Sequence, residues 1–504
     1  MTSVPEARAS LRRPQLIAGI AVLFVIQAII RFRSGMNHDT AWYIYVADAM
    51  LQGKQLFSDF LEVNPPLGIW LTVPIVWLAN LAGLNSIPAT YGILFALTVV
   101  SLLLVNRYLR LLADVPDTAR AMLCVVIAAV ILFMPAMDFA EREHLMVLLF
   151  LPWPFLRLAS SRGVQLGLAE ASLVGLMAAM AICIKPQSLL APLGVELVLL
   201  LRFRNFWGLF AVENIAAAAF AVLYGVAIII FEPDFFETIL PLGVAAYVPF
   251  YGYANSIIWL FSLRSVVLVA LAVFLWQRTE GPLADIAALL GAAAFGFILS
   301  YFIQYKGFHY QILPARIFAG MACAAAVSGI VTQVPFAKWL PVTKFLVGVS
   351  ALTVVMDFGF QRQTYPNNGR IFDAGIARNA PRARSIFIAS TQVSHGFPFT
   401  LNRNLIWASR FPAQWLTPYV ASKWQDGTLP SDGIVAHALD WAVSDLMAFH
   451  PDIVFIDESS EQLYVPGGRF DYLKFWNNDP RFEHFWTGYE RRASMNGFAV
   501  YTAR

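Results

Sequence analysis

Charge is scarce in this chain. Asp, Glu, Lys and Arg make up 13% of its 504 residues, against about a quarter in a soluble globular protein, while 59% of the residues are hydrophobic. The formal net charge is only +3, and no basic stretch is long enough to follow a phosphate backbone, so nucleic acid is excluded as a partner. Cysteine is rarer still. Cys124, Cys183 and Cys323 lie far apart in apolar runs, with no Cys-x-x-Cys pair. That excludes a disulfide framework or a cysteine zinc site, and the three read as small core residues. There is no P-loop and no Gly-rich dinucleotide fingerprint, so a soluble nucleotide donor is not supported. No internal repeat or low-complexity segment stands out.

Long hydrophobic runs are what the chain has instead. Apolar segments lie near 14–31, 65–82, 88–106, 120–136, 144–158, 167–184, 187–201, 207–231, 256–276, 283–304, 311–332 and 343–357. Runs of this length read as membrane spans. Arg8, Arg12 and Arg13 precede the first, and no small-x-small cleavage site precedes Arg31. The expectation is an uncleaved first helix with a cytoplasmic N-terminus.

Lys and Arg favour cytoplasmic loops. The connections 106–120, 157–165, 201–206, 277–282 and 333–344 carry them, and alternate with the connections 137–143, 184–187, 232–255 and 305–310. The alternation breaks before residue 106. One of the segments 65–82 and 88–106 does not cross, and 65–82 is the better candidate, with Pro65-Pro66 at its start and Pro74 inside. The expected fold is an α-helical polytopic membrane protein of about 11 transmembrane helices plus interfacial helices. Its membrane domain covers 1–357, with a first external loop at 32–87.

After about 358 the composition changes, and no run is long enough to span. "SIFIAS" (385–390) and "DIVFID" (452–457) read as buried strands, 433–450 as a helix and "GFAVYTAR" as a terminal strand. The segment 358–504 is expected to be a small soluble α/β domain on the external, periplasmic side.

On this topology the acids share one face. Asp39, Asp48, Asp59 and Glu62 fall in the first external loop; Asp138, Glu141 and Glu143, with Arg142 and His144, in the second; Glu232, Asp234 and Glu237 in a later one. Asp48 and Asp59 read as solvated loop residues, and Asp39 could also cap the helix starting at Thr40. Asp39, Glu62 and the Glu141–His144 cluster lie beside aromatics, prolines or span ends, where desolvating a charge is expensive. The cations on this side are Lys185, Arg264, Lys306 and His309. Each either snorkels to the interface or forms a site for a lipid phosphate. A carboxylate can take a proton from an attacking hydroxyl, and Lys, Arg and His can stabilise a departing phosphate. The pairing fits group transfer from a lipid phosphate.

Four stretches in order, "NHDTAWY", "EVNPPLGIWL", "DFAEREHLM" and "QYKGFHYQILP", resemble the C-type glycosyltransferase superfamily of integral membrane enzymes. More narrowly they look like its protein O-mannosyltransferase and aminoarabinose-transferase members. The resemblance covers roughly 14–357. It implies Asp39 as catalytic base and Glu62 as a substrate-orienting group. The family has one carboxylate in the second motif, where Glu141, Glu143 and His144 compete here; Glu143 is favoured, then His144. Lys306 and His309, with Lys185 and Arg264, would bind the donor phosphate. The implied donor is a polyprenyl-phosphate sugar. The implied acceptor is a lipid, glycan or protein at the periplasmic face of a bacterial inner membrane. A divalent cation (Mg or Mn) serves some relatives and not others, and Asp39 with a second-loop Glu could ligate one. The competing reading is a transporter or flippase of a lipid-linked glycan. It would use ionisable residues near the bilayer midplane, with Glu196 and Glu213 as candidates, though both could equally lie near cytoplasmic span ends. A non-catalytic scaffold is the third.

Overall fold

The computed structural model describes residues 13–333, a few positions between 335 and 348, and residues 362–366, 369–424 and 429–504. The expected last span, 343–357, lies almost entirely outside them.

Among the described residues, eight helices are long and apolar enough to cross a membrane: Pro14–Arg33, Ser86–Leu111, Arg142–Ser161, Pro186–Phe203, Val212–Phe231, Asn255–Trp276, Gly281–Gln304 and His309–Gln333. This is a multi-pass membrane protein. Segments 120–136 and 167–184 also form helices, Asp117–Phe133 and Leu168–Ile184, each of 17 residues. The suspected non-crossing segment is the 15-residue helix Leu67–Leu81, shorter than the roughly 20 residues a straight crossing needs.

The chain forms two compact units. The first comprises Met1–Ser34, Tyr91–Tyr224 and Tyr253–Thr364; the second comprises Gly35–Thr90, Gly225–Gly252 and Tyr365–Arg504.

The first unit is a helical bundle. Its helices are α1 (Arg13–Arg33), then, after α2 (His38–Leu51) and α3 (Leu67–Leu81) of the second unit, α4 (Ser86–Leu111), α5 (Asp117–Phe133), α6 (Arg142–Phe150), α7 (Pro152–Ser161), α8 (Leu168–Ile184), α9 (Leu190–Phe203) and α10 (Val212–Phe231). After the short turn α11 (Leu240–Leu242), which belongs to the second unit, come α12 (Asn255–Trp276), α13 (Gly281–Gln304) and α14 (Leu313–Gln333) of the first. Helix α13 is central, packing on α9, α12 and α14, and α14 packs in turn on α5. Glycines set the closest approach. A Cβ on Gly296 of α13 would lie 2.4 Å from the carbonyl oxygen of Leu190, so the two backbones touch there. Cys124, Cys183 and Cys323 are all buried.

The second unit joins the first loop to the tail. The tail holds a five-stranded sheet in the order β2-β1-β3-β5-β4. Its strands are β1 (Ser385–Ala389), β2 (Ile406–Trp407), β3 (Ile453–Asp457), β4 (Tyr489–Met495) and β5 (Phe498–Ala503). β1 runs parallel to β2 and β3, and β3-β5 and β5-β4 are antiparallel. β1 and β3 are buried throughout, as uninterrupted apolar runs require. The helix Gly433–Phe449 leads into β3, capped by Asp432, which accepts from the Ile434 and Val435 amides.

Residues of the first loop belong to the same core. The Trp407 amide donates to the Tyr45 hydroxyl at 3.0 Å, the Leu61 amide to the Arg410 carbonyl at 2.8 Å, and Trp415 Nε1 to the Leu61 carbonyl at 3.1 Å. Trp42, 1% exposed, meets Phe60 and Phe397 edge-on. Trp42 is therefore interior packing, with the half-buried Tyr45 stacked on it.

Candidate functional site

The first unit gathers most of the named residues where α5 meets α6, α8 meets α9 and α13 meets α14. The second acidic motif begins as a 3-10 turn, Ala136–Asp138, and starts α6 at Arg142. Ala136 and Ala140 both have positive φ, 51° and 80°, a conformation costly for a residue with a Cβ. Arg31 holds the turn, donating to the Ala136 carbonyl at 3.0 Å with its guanidinium 5.1 Å from the Phe139 ring.

His144 holds the other side. The Ala140 amide donates to Nδ1 at 3.3 Å, so the ring proton sits on Nε2, which donates to the Ile131 carbonyl at 2.9 Å. The residue has no solvent exposure. Both ring nitrogens are taken by backbone, which makes His144 a clasp for the loop. Glu143, the next residue round the helix, faces elsewhere and pairs with Lys185. It is 1% exposed, and its Oε2 has no hydrogen-bond partner among the described residues. Glu141 is fully buried and lies 3.4 Å from Arg142 Nε.

Lys185 ends α8 in an extended conformation (φ −139°, ψ 95°), as the following Pro186 demands. Its ammonium also stands 5.4 Å from the Tyr310 ring centroid. Burial lowers its pKa, against the raising effect of Glu143. Lys306 follows the left-handed cap Tyr305 (φ 47°). Gly307 comes next at φ 74°, where a Cβ would strike Ile258 at 2.7 Å, so this turn requires glycine. The Lys306 carbonyl accepts from the Tyr253 amide. Burial first, then Lys185 and Arg142, push the pKa of Lys306 down to about 7. His309 Nε2 lies 3.0 Å from Asp138 Oδ2 and 3.2 Å from Oδ1. Lys306 and His309 are half-buried, whereas Glu143, Lys185 and Asp138 are buried.

The result is a group of cations paired with buried carboxylates. Sequence reasoning passes over one member: Arg316, buried in α14 and within electrostatic reach of His309. The signal available was a lone cation in the apolar run after Pro314. Arg264 lies at an exposed position in the middle of α12.

In the second unit, Asn37 rather than Asp39 caps α2: its side chain accepts from the Asp39 amide at 2.9 Å. The Asp39 carboxylate sits in the first turn of that helix. It lies 3.5 Å from His38 Nε2, and His38 Nδ1 meets the Tyr365 hydroxyl at 2.5 Å. Glu62 is buried, its Oε2 accepting from Trp42 Nε1 and its Oε1 from the Asn64 amide, both at 2.9 Å. It thereby ties α2 to the start of the Pro65-Pro66 segment. Asp48 and Asp59 bond Gln52, Asn80, Lys54 and Gln55 at exposed positions, as loop solvation predicts. Burial pushes Glu232 up to about 7, and Trp70 Nε1 donates to it at 3.3 Å.

Glu196 and Glu213 are not isolated midplane acids. Arg157 binds both, Nε to Glu196 at 2.5 Å and Nη1 to Glu213 at 2.8 Å. Arg157 lies in the last turns of α7 and Glu213 in the first turn of α10, so this charge cluster occupies the opposite end of the bundle. Among the described residues no group of three or more His, Cys, Asp or Glu side chains could hold a metal ion.

Fold and site define a polytopic helical membrane protein with a mixed five-stranded α/β region at its C-terminus and a buried cluster of opposite charges at one end of its bundle. No family model matches the chain, and no curated protein matches it in sequence. Among solved structures it is similar to the arabinofuranosyltransferase AftD from mycobacteria, determined by cryo-electron microscopy. That likeness has a TM-score of 0.49 at 12% identity and covers 98% of this chain and 40% of that one. A mutant form of the same enzyme gives 0.47 at 12% identity, over 98% and 42%. The chain thus spans about two-fifths of that enzyme's length.

Proposed function

We propose that the protein is a membrane glycosyltransferase that takes its sugar from a polyprenyl-phosphate donor. The observation that carries this is the cluster Glu143–Lys185, Asp138–His309 and Lys306. Cations at a half-buried edge suit an anionic phosphate, and burial keeps the site from being a merely solvated charge group. The four ordered motifs described above supply the reaction class.

In this reading Lys306 and His309 hold the donor phosphate, and Lys185 shifts between Glu143 and the phosphate. The acceptor hydroxyl attacks the anomeric carbon and a new glycosidic C–O bond forms. The bond from that carbon to the phosphate oxygen breaks, and the polyprenyl phosphate leaves with the electron pair. The hydroxyl proton goes to a carboxylate base, the role that the resemblance gives to Asp39, and the configuration inverts. Glu143, with one oxygen unoccupied, orients a sugar hydroxyl. Glu62 positions rather than reacts. A divalent cation is not required by this scheme. The acceptor is a lipid, glycan or protein, and the reaction belongs to the external face of the membrane.

The test is sugar release or transfer by the purified chain in nanodiscs from a panel of polyprenyl-phosphate sugars, with and without chelator. Wild type should turn over one donor. Asp39→Asn and Glu143→Gln should each lose at least 100-fold in kcat, within the range that removing an acid–base group produces, ~10²–10⁴. Donor binding without turnover in any acceptor mixture, unaltered by either substitution, would sink the enzyme reading.

A further inference from the structure

The bundle contains a second feature that the proposed reaction does not use. Helices α9 and α13 run antiparallel and touch at Gly296 against Leu190 and Ala191. A Cβ on Gly194 would likewise stand 3.0 Å from the Ala292 carbonyl oxygen. One turn further the two helices part. A cavity of about 660 Å³ opens between α9, α12 and α13, with Val198, Ala288 and Ala272 among its walls. Its volume falls within the 300–1,000 Å³ typical of small-ligand sites. A Cβ on Gly291, which lines it, would meet nothing within 4 Å. Lining residues Leu201, Trp276 and Phe295 are exposed, so the cavity is open to the surroundings of the bundle. These helices read as membrane spans, so what surrounds them there is lipid.

The polar lining is confined to one end. Arg202 Nε binds Asp285 Oδ1 at 3.0 Å, and Arg162 Nη2 takes Oδ2 of the same carboxylate at 2.5 Å. Asp114, largely exposed, lies 3.9 Å from Arg162 and so serves that arginine. Asp285 is therefore shared, and the Arg202 side chain is 60% exposed with only its Nε engaged by it. A guanidinium so placed at the mouth of an apolar wedge offers its remaining donors to a phosphate.

We propose that this wedge binds an anionic glycerophospholipid, with an acyl chain between α9, α12 and α13 and the phosphate on Arg202. The donor lipid is a poorer occupant. Asp285 stands in the first turns of α13 and Lys306 just past its end, roughly 30 Å apart along the axis at 1.5 Å per residue. That is the thickness of the hydrocarbon core, so the wedge and the donor-phosphate cluster serve opposite leaflets. A zwitterionic headgroup would bring its ammonium towards the arginines.

Native mass spectrometry of the full chain in detergent tests this, titrating phosphatidylglycerol, phosphatidylethanolamine and undecaprenyl phosphate in separate arms. Wild type should hold one phosphatidylglycerol in preference to phosphatidylethanolamine. Gly291→Leu should lose it, because the side chain fills the wedge; the helix itself gains from losing a glycine, so unfolding is not the cause. Arg202→Gln should keep a lipid in the wedge but reduce the preference for phosphatidylglycerol about fivefold, the effect of one arginine near the membrane surface. Unchanged phosphatidylglycerol binding in Gly291→Leu overturns the proposal. So does an unchanged preference in Arg202→Gln, which decides alone if the other variant is unstable. Undecaprenyl phosphate displacing the bound lipid from wild type would assign the wedge to the donor instead.

Discussion

Burial, and after it the nearby Lys185 and Arg142, push the pKa of Lys306 down to about 7. The side chain is charged below that pH and neutral above it. A polyprenyl-phosphate sugar is a phosphodiester and does not titrate in this range. The KM for the donor should therefore rise as pH climbs through 7. Lys306→Arg, charged throughout, should flatten that profile, and a flat wild-type profile would remove Lys306 from the phosphate site. His144 makes the opposite case. The sequence left it competing with Glu143, because both neighbours are polar in an apolar helix and hydropathy does not say which face meets which partner. The structure separates them: His144 spends both nitrogens on backbone, while Glu143 keeps an unpartnered oxygen. His144→Ala should thus cost about 2–4 kcal/mol of stability, by orphaning the Ile131 carbonyl and the Ala140 amide and leaving a cavity. A lower melting midpoint in detergent checks it. Loss of turnover at unchanged midpoint would return His144 to the chemistry.

Helix α13 shows what composition can and cannot convey. Its apolar length was legible, as were β1, β3, β5 and the helix before β3, because each is a clean apolar run or a clean 3.6 period. β4 was not: "YERRASM" is mostly exposed and lies at the edge of the sheet, so it carries no apolar signature. β2 has only two residues. The glycines of α13 were equally mute, since sequence does not say which glycine faces a neighbouring backbone. Gly296 does and Gly291 does not. Gly296→Ala should destabilise the bundle by about 3 kcal/mol or more, because backbone at 2.4 Å cannot yield as a side chain can. Gly291→Ala should be neutral or stabilising by about 1 kcal/mol. Equal thermal midpoints for the two variants would contradict the packing of α9 on α13.

The division of the chain was the least legible feature. A boundary near 358 follows from composition, and by that reading the tail is an appendage whose removal leaves the first loop intact. The structure instead folds Gly35–Thr90 together with Tyr365–Arg504. The bonds that join them, Tyr45 to Trp407, Leu61 to Arg410 and Trp415 to Leu61, link residues more than 340 positions apart. No local pattern announces such pairs. Deleting the tail would expose Trp42, Tyr45 and Phe60 and leave the amide and carbonyl of Leu61 without their partners. Buried polar groups so orphaned cost about 1–3 kcal/mol each, and the aromatic surface adds to that. Truncation before Tyr365 should therefore unfold the first loop, seen as rapid proteolysis within 35–90 while α9, α12, α13 and α14 stay protected. Asp39, the proposed base, is held at the start of α2 and should lose its place with it, so turnover should vanish. A truncated protein with a protease-resistant first loop would mean that the tail is the separable domain the composition suggests.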